Sequence, residues 1–324
     1  MAADGEITLA LAGDTMLGRG VAERLREDPR AELLAPEVVA IARAADRFVL
    51  NLECCVSDRG SRWPDPRKPF FFRAPPVAAE RLAEAGVDAV TLANNHAQDF
   101  GPQALLDTVA HLRAVGIACT GAGADAAAAR SPAHVAAHGF RVRLVGVTDH
   151  PRDYAAGPDS PGVAYADLRD GGVPAWLAGA VAPGPDADAV LALPHWGPNM
   201  RVAPLPSTRR AAAALVAAGA TLVAGTSAHV FQAAAGRVLF DLGDFVDDYR
   251  VDPVLRNDLG LLWLVTLGAD GPRRVEAVPL TLGFCHTALA RGDDARWVAR
   301  RLAELCAAEG TAVRGEDGRL VLRV

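Results

Sequence analysis

The sequence predicts an α/β protein built around a largely parallel sheet. Over much of the chain, short apolar runs rich in valine and leucine alternate with alanine-rich segments of helical periodicity. This alternation is typical of strand–helix–strand units, which form parallel sheets. Later apolar runs follow one another across short turns such as "GADG", and this spacing indicates antiparallel strands beside the parallel ones.

The predicted elements follow in chain order. The predicted strands are "EITLALAG", "RFVLNLE", "VDAVTLAN", "GIACTGAG", "RVRLVGVT", "AVLALPHWG", "TLVAGTSAH", "RVLFDLGDF", "LGLLWLVTLG" and "RRVEAVPLTLG". The predicted helices cover residues 21–27, 35–45, 77–85, 102–115 and 207–218. A last helix, "DDARWVARRLAELCAAEG", opens with two acids and stops at a glycine, and "EDG" then turns a hairpin. We expect one domain over residues 1–290, with the helix and hairpin of residues 291–324 packed on it.

Composition argues against several classes of protein. The chain has 324 residues, of which 51% are hydrophobic, so it can bury a full core. A net charge of −6 argues against a nucleic-acid-binding surface. No apolar run reaches the roughly 18 residues of a membrane-spanning helix, and no signal peptide is visible. Five cysteines without CxxC spacing favour reduced thiols. We therefore expect a cytoplasmic protein that binds neither nucleic acid nor membrane.

Polar side chains gather where the predicted strands end, the edge at which open α/β sheets bind ligands. Carboxylate and imidazole together suit Zn, Mn or Fe, whereas Ca and Mg prefer oxygen alone. Two neighbouring cations need a bridging carboxylate, and Glu53 is the residue that we place between them. The strand ends carry Asp14, Glu53, Asn94, Asn95, His96, His195, His229, Asp241 and Asp244.

Each of these residues also has a purely structural interpretation. Asp14 could cap a helix, and Glu53 could be a solvated acid in a loop. His195 and His229 could be packed histidines, and the two asparagines of "ANNH" could hold a turn together. These interpretations would have to hold at every strand end at once, and the order of the segments decides against that.

Seven segments between residues 7 and 245 carry a family resemblance: "GDTMLGRG", "NLE", "FFFRAP", "AGVDAVTLANNHAQDFG", "LPHWG", "GTSAHVFQ" and "LFDLGDF". In this order they resemble the CapA-type, or poly-γ-glutamate capsule biosynthesis, proteins. That family is a branch of the calcineurin-like metallophosphoesterases. The resemblance implies a four-layer α/β/β/α sandwich, with the site along one edge of its two central sheets.

The resemblance also implies a centre of two divalent metal ions, Mn, Fe or Zn, of which Mn is our first choice. Asp14 and His229 would hold one ion, Asn95 and His195 would hold the other, and Glu53 would bridge them. His96 would lie just outside the ligands and donate a proton to the leaving group.

The chain departs from the family pattern at three positions. Ser227 stands where the family has a metal-binding histidine, Asn199 where it has a glutamate, and Asp244 where it has an asparagine. A hydroxyl is a poorer ligand than an imidazole for such ions. Either the second site is weakened, or a neighbour such as Asp244, Asp241 or His150 compensates for Ser227. Asp244 is our first choice, and this exchange would shift the metal preference from Zn toward the harder ions Mn or Mg.

Residues around the centre supply the remaining candidates. Asp99 could orient His96 for proton transfer, or it could cap the helix that starts near Pro102. The segment "RWPDPRKPFFFRAPP" offers Arg67, Lys68 and Arg73 to an anionic substrate, although it could also be a solvated loop pinned by its phenylalanines. The further substrate-binding candidates are Asn94, Trp196 and Arg201.

Three functions follow from this site. The first is a metal-dependent hydrolase of a phosphoester or another small-molecule or peptide-like anionic substrate. The second is an enzyme that forms or cleaves amide bonds such as γ-glutamyl linkages, and the third is a non-catalytic binding protein with a degenerate metal site. The chain has no GxxxxGK[ST] loop, which disfavours a ligase that uses ATP on its own.

Overall fold

The computed structural model describes residues 5–323. Its strands are β1 Glu6–Thr15, β2 Arg47–Leu52, β3 Cys55–Val56, β4 Arg73–Ala74, β5 Ala89–Thr91, β6 Ala118–Thr120, β7 Ala122–Gly123, β8 Ala133–Ala137, β9 Phe140–Thr148, β10 Gly162–Val163, β11 Ala189–His195, β12 Leu222–Ala224, β13 Ala234–Ala235, β14 Val238–Leu239, β15 Asp244–Val246, β16 Leu259–Gly268, β17 Gly271–Gly283, β18 His286–Leu289, β19 Val313–Glu316 and β20 Arg319–Leu322. Its α-helices are α1 Arg19–Glu27, α2 Pro36–Ala44, α3 Val77–Ala85, α4 Gly101–Ala114, α5 Ala126–Arg130, α6 Ala175–Val181, α7 Pro206–Ala218 and α8 Gly292–Ala308. Among these described helices, none has both the length and the apolar character needed to cross a bilayer.

Two sheets form the centre of the fold. The first has the strand order β19-β20-β17-β16-β1-β2-β5-β6, with β15 beside β1 and β18 beside β17. Its strands β15, β1, β2, β5 and β6 are parallel, whereas β16 to β20 are antiparallel. The second sheet has the order β13-β14-β12-β11-β9-β8, parallel at its centre and antiparallel at both edges. The predicted mixture of parallel and antiparallel strands is confirmed.

Helices cover the outer faces of both sheets. Alternation along β1 sends Ile7, Leu9 and Leu11 into the core between the sheets, whereas Ala10 and Ala12 face the helices α1 to α4. On the far side, α6 and α7 pack their apolar residues against the second sheet. The four layers are therefore helix, sheet, sheet and helix, and the predicted fold class is confirmed.

The last helix and hairpin extend the first sheet. β20 pairs with β17, and β19 closes the hairpin. The buried face of α8, Val298, Leu302 and Cys306, belongs to the same core as β16 and β17. The hairpin's final residue in the sequence, Val324, lies outside the described residues.

Two predicted strands are wrong as single elements. "GIACTGAG" divides into β6 of the first sheet and β7, which pairs with β10 in a separate two-stranded sheet. The other is "RVLFDLGDF". β14 belongs to the second sheet and β15 to the first, so this segment crosses from one sheet to the other. The Asp241 carboxylate stabilises this crossing, because it accepts hydrogen bonds from the backbone N–H groups of Ala228 (2.8 Å) and Gly243 (2.9 Å). Gly243 has a left-handed backbone, with φ of 79°, which glycine adopts without strain.

The cysteines are free thiols, as expected. All five are unpaired. Cys54, which follows Glu53 directly, is buried in the apolar core under α1 to α4. Burial raises its pKa to about 12, and Cys54 is not among the four clustered ligand candidates described below.

Candidate metal centre

The first ligand candidate lies where the carboxyl ends of β1 and β2 meet the amino end of β15. Asp14 lies opposite Asp244 in the pairing of β1 with β15, and opposite Asn51 in the pairing of β1 with β2. Asn51 Nδ2 donates a hydrogen bond to Asp14 Oδ1 (2.6 Å). The strands approach closely because Gly13 lacks a side chain, since a Cβ there would lie 1.8 Å from the carbonyl oxygen of Gly243.

Four buried side chains form a cluster that could hold a metal ion. Asp14, Glu53, His229 and Asp244 each offer one ligand atom, and these atoms all lie within 4.8 Å of one another. Burial, together with the repulsion of neighbouring carboxylates, raises the pKa of Glu53 and Asp244 well above the ordinary range. Burial also raises the pKa of Asp14.

Two carboxylate oxygens of this cluster fit a cation. Glu53 Oε1 and Asp244 Oδ2 are buried and have no hydrogen-bond partner among the described residues. An unpaired polar atom in the interior costs free energy. A bound cation would remove that cost, because carboxylate oxygens are preferred ligands of Mn and Fe ions.

His229 lies at the centre of the acidic groups. Its Nδ1 is 2.8 Å from Asp244 Oδ1, 3.4 Å from Asp14 Oδ2 and 3.8 Å from Glu53 Oε2. Burial alone would lower the pKa of His229, but Glu53 and Asp14 raise it above its ordinary value. The imidazole therefore lies among three carboxylates that favour its charged form.

A second group of ligand candidates lies across Glu53. His195, the last residue of β11, contacts Thr226 Oγ1 through Nδ1 (2.9 Å) and Asn95 Oδ1 through Nε2 (3.0 Å). Burial and the neighbouring His150 hold the pKa of His195 well below its ordinary value. The ring is therefore neutral, and neutral imidazole is the form that binds metals.

Glu53 connects the two groups. Its Oε2 lies 3.8 Å from His229 Nδ1 and accepts a long hydrogen bond from the Tyr249 hydroxyl (3.4 Å). Its Oε1 lies 4.0 Å from His195 Nε2 and 4.0 Å from His96 Nε2. The two oxygens of the Glu53 carboxylate thus face different neighbours. The mixture of carboxylate oxygens and imidazole nitrogens in the two groups fits Mn, Fe or Zn better than Ca.

Asp99 positions His96 beside this centre. Asp99 Oδ2 lies 2.7 Å from His96 Nδ1 and accepts a hydrogen bond from the Phe72 backbone N–H (2.6 Å). Its Oδ1 lies 2.9 Å from Lys68 Nζ and accepts a hydrogen bond from the Tyr154 hydroxyl (3.1 Å). The His96 ring also stacks on Phe72, with a centroid separation of 4.0 Å. Burial lowers the pKa of His96 to about 4.

The family of the chain follows from its sequence. The family model described as bacterial capsule synthesis protein PGA_cap matches residues 8–249, a range that contains both groups of ligand candidates. The chain belongs to this family. The resemblance to CapA-type proteins is thereby confirmed.

Relatives of this PGA_cap protein cover most of its length. A probable polyglutamine synthesis accessory protein of Mycobacterium tuberculosis is 32% identical over 90% of this chain and 89% of its own. The PGA biosynthesis protein CapA of Bacillus subtilis is 26% identical over 99% of this chain and 83% of its own. A hypothetical protein from Thermus thermophilus, solved as a crystal structure, aligns with a TM-score of 0.42 and 16% identity over 87% of this chain and 96% of its own.

The departures from the family pattern at Ser227 and Asp244 fall unevenly on the two groups of ligand candidates. Ser227 is buried, and its hydroxyl donates to the Gly197 carbonyl (3.0 Å). Its backbone N–H donates to Asp14 Oδ2 (3.1 Å). Asp244 lies with Asp14 and His229, so its charge enriches the first group and does not replace an imidazole in the second. The expectation that Asp244 substitutes for the ligand missing at Ser227 therefore needs correction.

Three of the structural interpretations fail. The N-cap position of α1 is Gly18 and that of α4 is Phe100, and neither helix has a side-chain cap. Asp14 and Asp99 are thus not caps. Glu53 has no exposed surface, so it is not a solvated loop acid.

The cationic segment before β4 does not present its charges to the cluster as we expected. Lys68 is mostly buried, and its ammonium group binds Asp99 and the Asn95 carbonyl (2.8 Å). The Arg67 side chain is 87% exposed and pairs with Asp65. The Arg73 guanidinium lies 4.1 Å from the centroid of the Phe100 ring.

Of the other three substrate candidates, Asn94 and Trp196 are buried, and the role of Arg201 stays a prediction. Asn94 is fully buried and ties the turn together, because its amide donates to Asn51 Oδ1 and to the Leu52 carbonyl. Trp196 is 3% exposed and donates its indole N–H to the Phe240 carbonyl. Arg201 is exposed, and its backbone carbonyl accepts a hydrogen bond from Gln232 Nε2 (2.7 Å).

Two residues beside the centre were not predicted from the sequence. Tyr249 reaches Glu53, but it stands alone after "GDFVDD", and no spacing marks it. The Arg19 guanidinium lies 5.1 Å from the Phe72 ring centroid and 5.2 Å from that of Tyr249, and Asp248 pairs with it. Arg19 was visible in "GDTMLGRG" as a cation close to Asp14 in sequence.

Proposed function

We propose that this protein is a metal-dependent hydrolase of an anionic substrate, with a centre of two divalent ions. The observation that carries the proposal is the position of Glu53. Its two oxygens face His229 and His195 on opposite sides, and Oε1 has no protein partner among the described residues. A bridging carboxylate needs this arrangement.

In this proposal, the chain's residues divide between two ions. Asp14, His229 and Asp244 would hold the first, Asn95 and His195 the second, and Glu53 would touch both. Divalent ions at these positions would supply an activated water and neutralise charge on a phosphoryl or carbonyl oxygen. The oxygen-rich first group favours Mn over Zn.

His96 would move a proton at its Nε2 atom. A carboxylate accepts only, so Asp99 holds the imidazole proton on Nδ1 and leaves Nε2 of the neutral ring as an acceptor. His96 would then take a proton from the attacking water before it gives one to the leaving group. His96 would thus act first as a base and then as an acid, whereas the family resemblance implied only a proton donor. Such catalysis contributes about 10²- to 10⁴-fold in rate.

A second candidate function is cleavage or formation of a γ-glutamyl or related amide bond. It is favoured by the names of the relatives, a polyglutamine synthesis accessory protein and PGA biosynthesis protein CapA. The same residues would serve, because an amide carbonyl oxygen also gains negative charge when water attacks it.

Elemental analysis of the purified protein tests the metal centre. We expect two equivalents of Mn, Fe or Zn in the wild type and fewer in Glu53→Gln and His229→Gln. His134→Gln is the matched control, because His134 is a half-exposed histidine that pairs with Asp186 away from the centre. Under half an equivalent in the wild type, after reconstitution with each metal, would leave a binding protein and contradict the hydrolase.

Product analysis tests the reaction. Bis(p-nitrophenyl) phosphate and γ-glutamyl-p-nitroanilide separate phosphoester from amide cleavage. His96→Gln should lower the rate on the preferred substrate about 10²- to 10⁴-fold while it leaves the metal content unchanged. A metal-loaded wild type that turns over neither compound, nor a panel of related esters and γ-glutamyl peptides, would contradict the assignment as a hydrolase.

A further inference from the structure

A separate cavity lies on the outer face of the first sheet, between α2 and α3. Its volume is about 660 Å³, and small-molecule sites range over about 300–1,000 Å³. None of the four clustered metal-ligand candidates lines it. Its accessible apolar lining comes from α2, α3 and the segment before α2: Leu34, Val39 and Ala85 are partly buried, and Ala40 is exposed.

The rim of the cavity is cationic. Three arginines, Arg30, Arg43 and Arg81, and two glutamates, Glu32 and Glu84, surround the opening. The Glu84 carboxylate pairs with Arg81, and its backbone carbonyl accepts a hydrogen bond from Arg43. The rim therefore retains one more positive charge than negative charge.

Arg81 presents an unused donor in this cavity. Its side chain is 16% exposed, and its Nε atom is buried without a hydrogen-bond partner among the described residues. A buried guanidinium N–H without an acceptor is costly. A carboxylate or phosphate oxygen of a ligand would supply the acceptor, because guanidinium groups match the geometry of both.

We propose that this cavity binds a small amphiphile that has an acyl-like apolar body and one anionic group. The apolar body would cover Leu34, Val39 and Ala85, lining side chains that keep accessible surface, and the anionic group would pair with the guanidinium of Arg81 on the rim. The apolar lining favours the apolar body of the ligand, because burial of apolar surface drives binding. The cationic rim favours an anionic head group.

Calorimetric titration with dodecanoate and dodecanol tests the proposal. We expect saturable 1:1 binding of dodecanoate and a preference for it over the neutral alcohol. Arg81→Met should weaken dodecanoate about tenfold or more while it leaves dodecanol unchanged, because it removes a charged hydrogen bond and keeps the aliphatic stem. Ala40→Trp, at an exposed lining position of α2, should fill the opening and weaken both ligands.

Two controls separate the cavity from other sites. Arg26→Met removes an exposed arginine of α1 outside the cavity, so both affinities should stay unchanged. Glu53→Gln alters the metal cluster alone, so retained dodecanoate binding there places the ligand away from the metals. No saturable dodecanoate binding by the wild type, or binding that neither Arg81→Met nor Ala40→Trp weakens, would overturn the proposal.

Discussion

At the scale of single residues, Asp99 joins the site to the fold. Each of its two oxygens has two partners: Phe72 N–H and His96 at one, Lys68 and Tyr154 at the other. The chain's only lysine therefore neutralises a buried carboxylate that in turn orients the imidazole. Because ionised partners strengthen hydrogen bonds, this network should contribute to stability as well as to chemistry.

Asp99→Asn should destabilise the protein by about 3 kcal/mol, because the amide offers one acceptor atom in place of two and leaves the Lys68 charge without its partner. Urea unfolding followed by circular dichroism measures the change. Asp270→Asn is the control: its side chain is 68% exposed in an ion pair with Arg273, so the cost should stay below about 1 kcal/mol. Equal effects of the two variants would show that the Asp99 network adds nothing.

The ligand candidates could be named from the sequence because they stand at strand ends in a recognisable order. Their partners could not, since Asn51, Thr226 and Tyr249 become neighbours of the ligands only when separate strands meet. The same limit explains Lys68. Its position among other cations suggested a substrate contact, and only the packed structure shows the buried carboxylate that binds it.

At the scale of elements, the close contact of β1 with the turn before β15 brings Asp14 to Asp244. The backbone N–H of Asp14 donates to the carbonyl of Gly243 (2.9 Å). Gly13 allows this approach, because any side chain there would overlap that carbonyl oxygen. A single glycine thus determines whether two of the clustered carboxylates meet.

Gly13→Ala should separate β1 from the turn before β15, destabilise the protein by at least about 2 kcal/mol and lower the metal content. Unfolding curves and elemental analysis give the two readouts. Gly179→Ala is the matched control. Its Cβ would meet nothing within 4 Å in α6, so it should stabilise the protein by about 0.5–1 kcal/mol. If Gly13→Ala keeps both its stability and its metal, the close contact is not required.

Elements with a strong apolar period were predictable, and short ones were not. The apolar pattern of the sequence predicts β1, β16 and β17 directly. β8, "AHVAA", and the short helices α5 and α6 were missed, since alanine favours neither a strand nor an apolar face. The segment "RVLFDLGDF" looked like one strand because its apolar spacing continues across Asp241, and only that side chain's contacts with Ala228 and Gly243 show where the sheet changes.

At the scale of the whole molecule, the core between the sheets depends on the C-terminal segment. α8 covers the edge of that core where the second sheet ends, with contacts to β13, β16 and β17. Five side chains beyond residue 290 belong to this core: Val298, Leu302, Cys306, Leu320 and Leu322. Residues 291–323 are thus continuous with the first sheet through β20.

Deletion of residues 291–324 should therefore prevent stable folding. Each large buried side chain contributes roughly 1.5–3 kcal/mol, and their sum is comparable with a typical net stability of about 5–15 kcal/mol. Limited proteolysis and urea unfolding of residues 1–290 measure the effect.

In the full chain, Leu302→Ala should cost about 2–5 kcal/mol, whereas the exposed Arg300→Ala on the same helix should change stability by less than about 0.5 kcal/mol. A truncated chain that unfolds cooperatively at the urea concentration of the full chain would show instead that the helix and hairpin are an appendage to a complete domain.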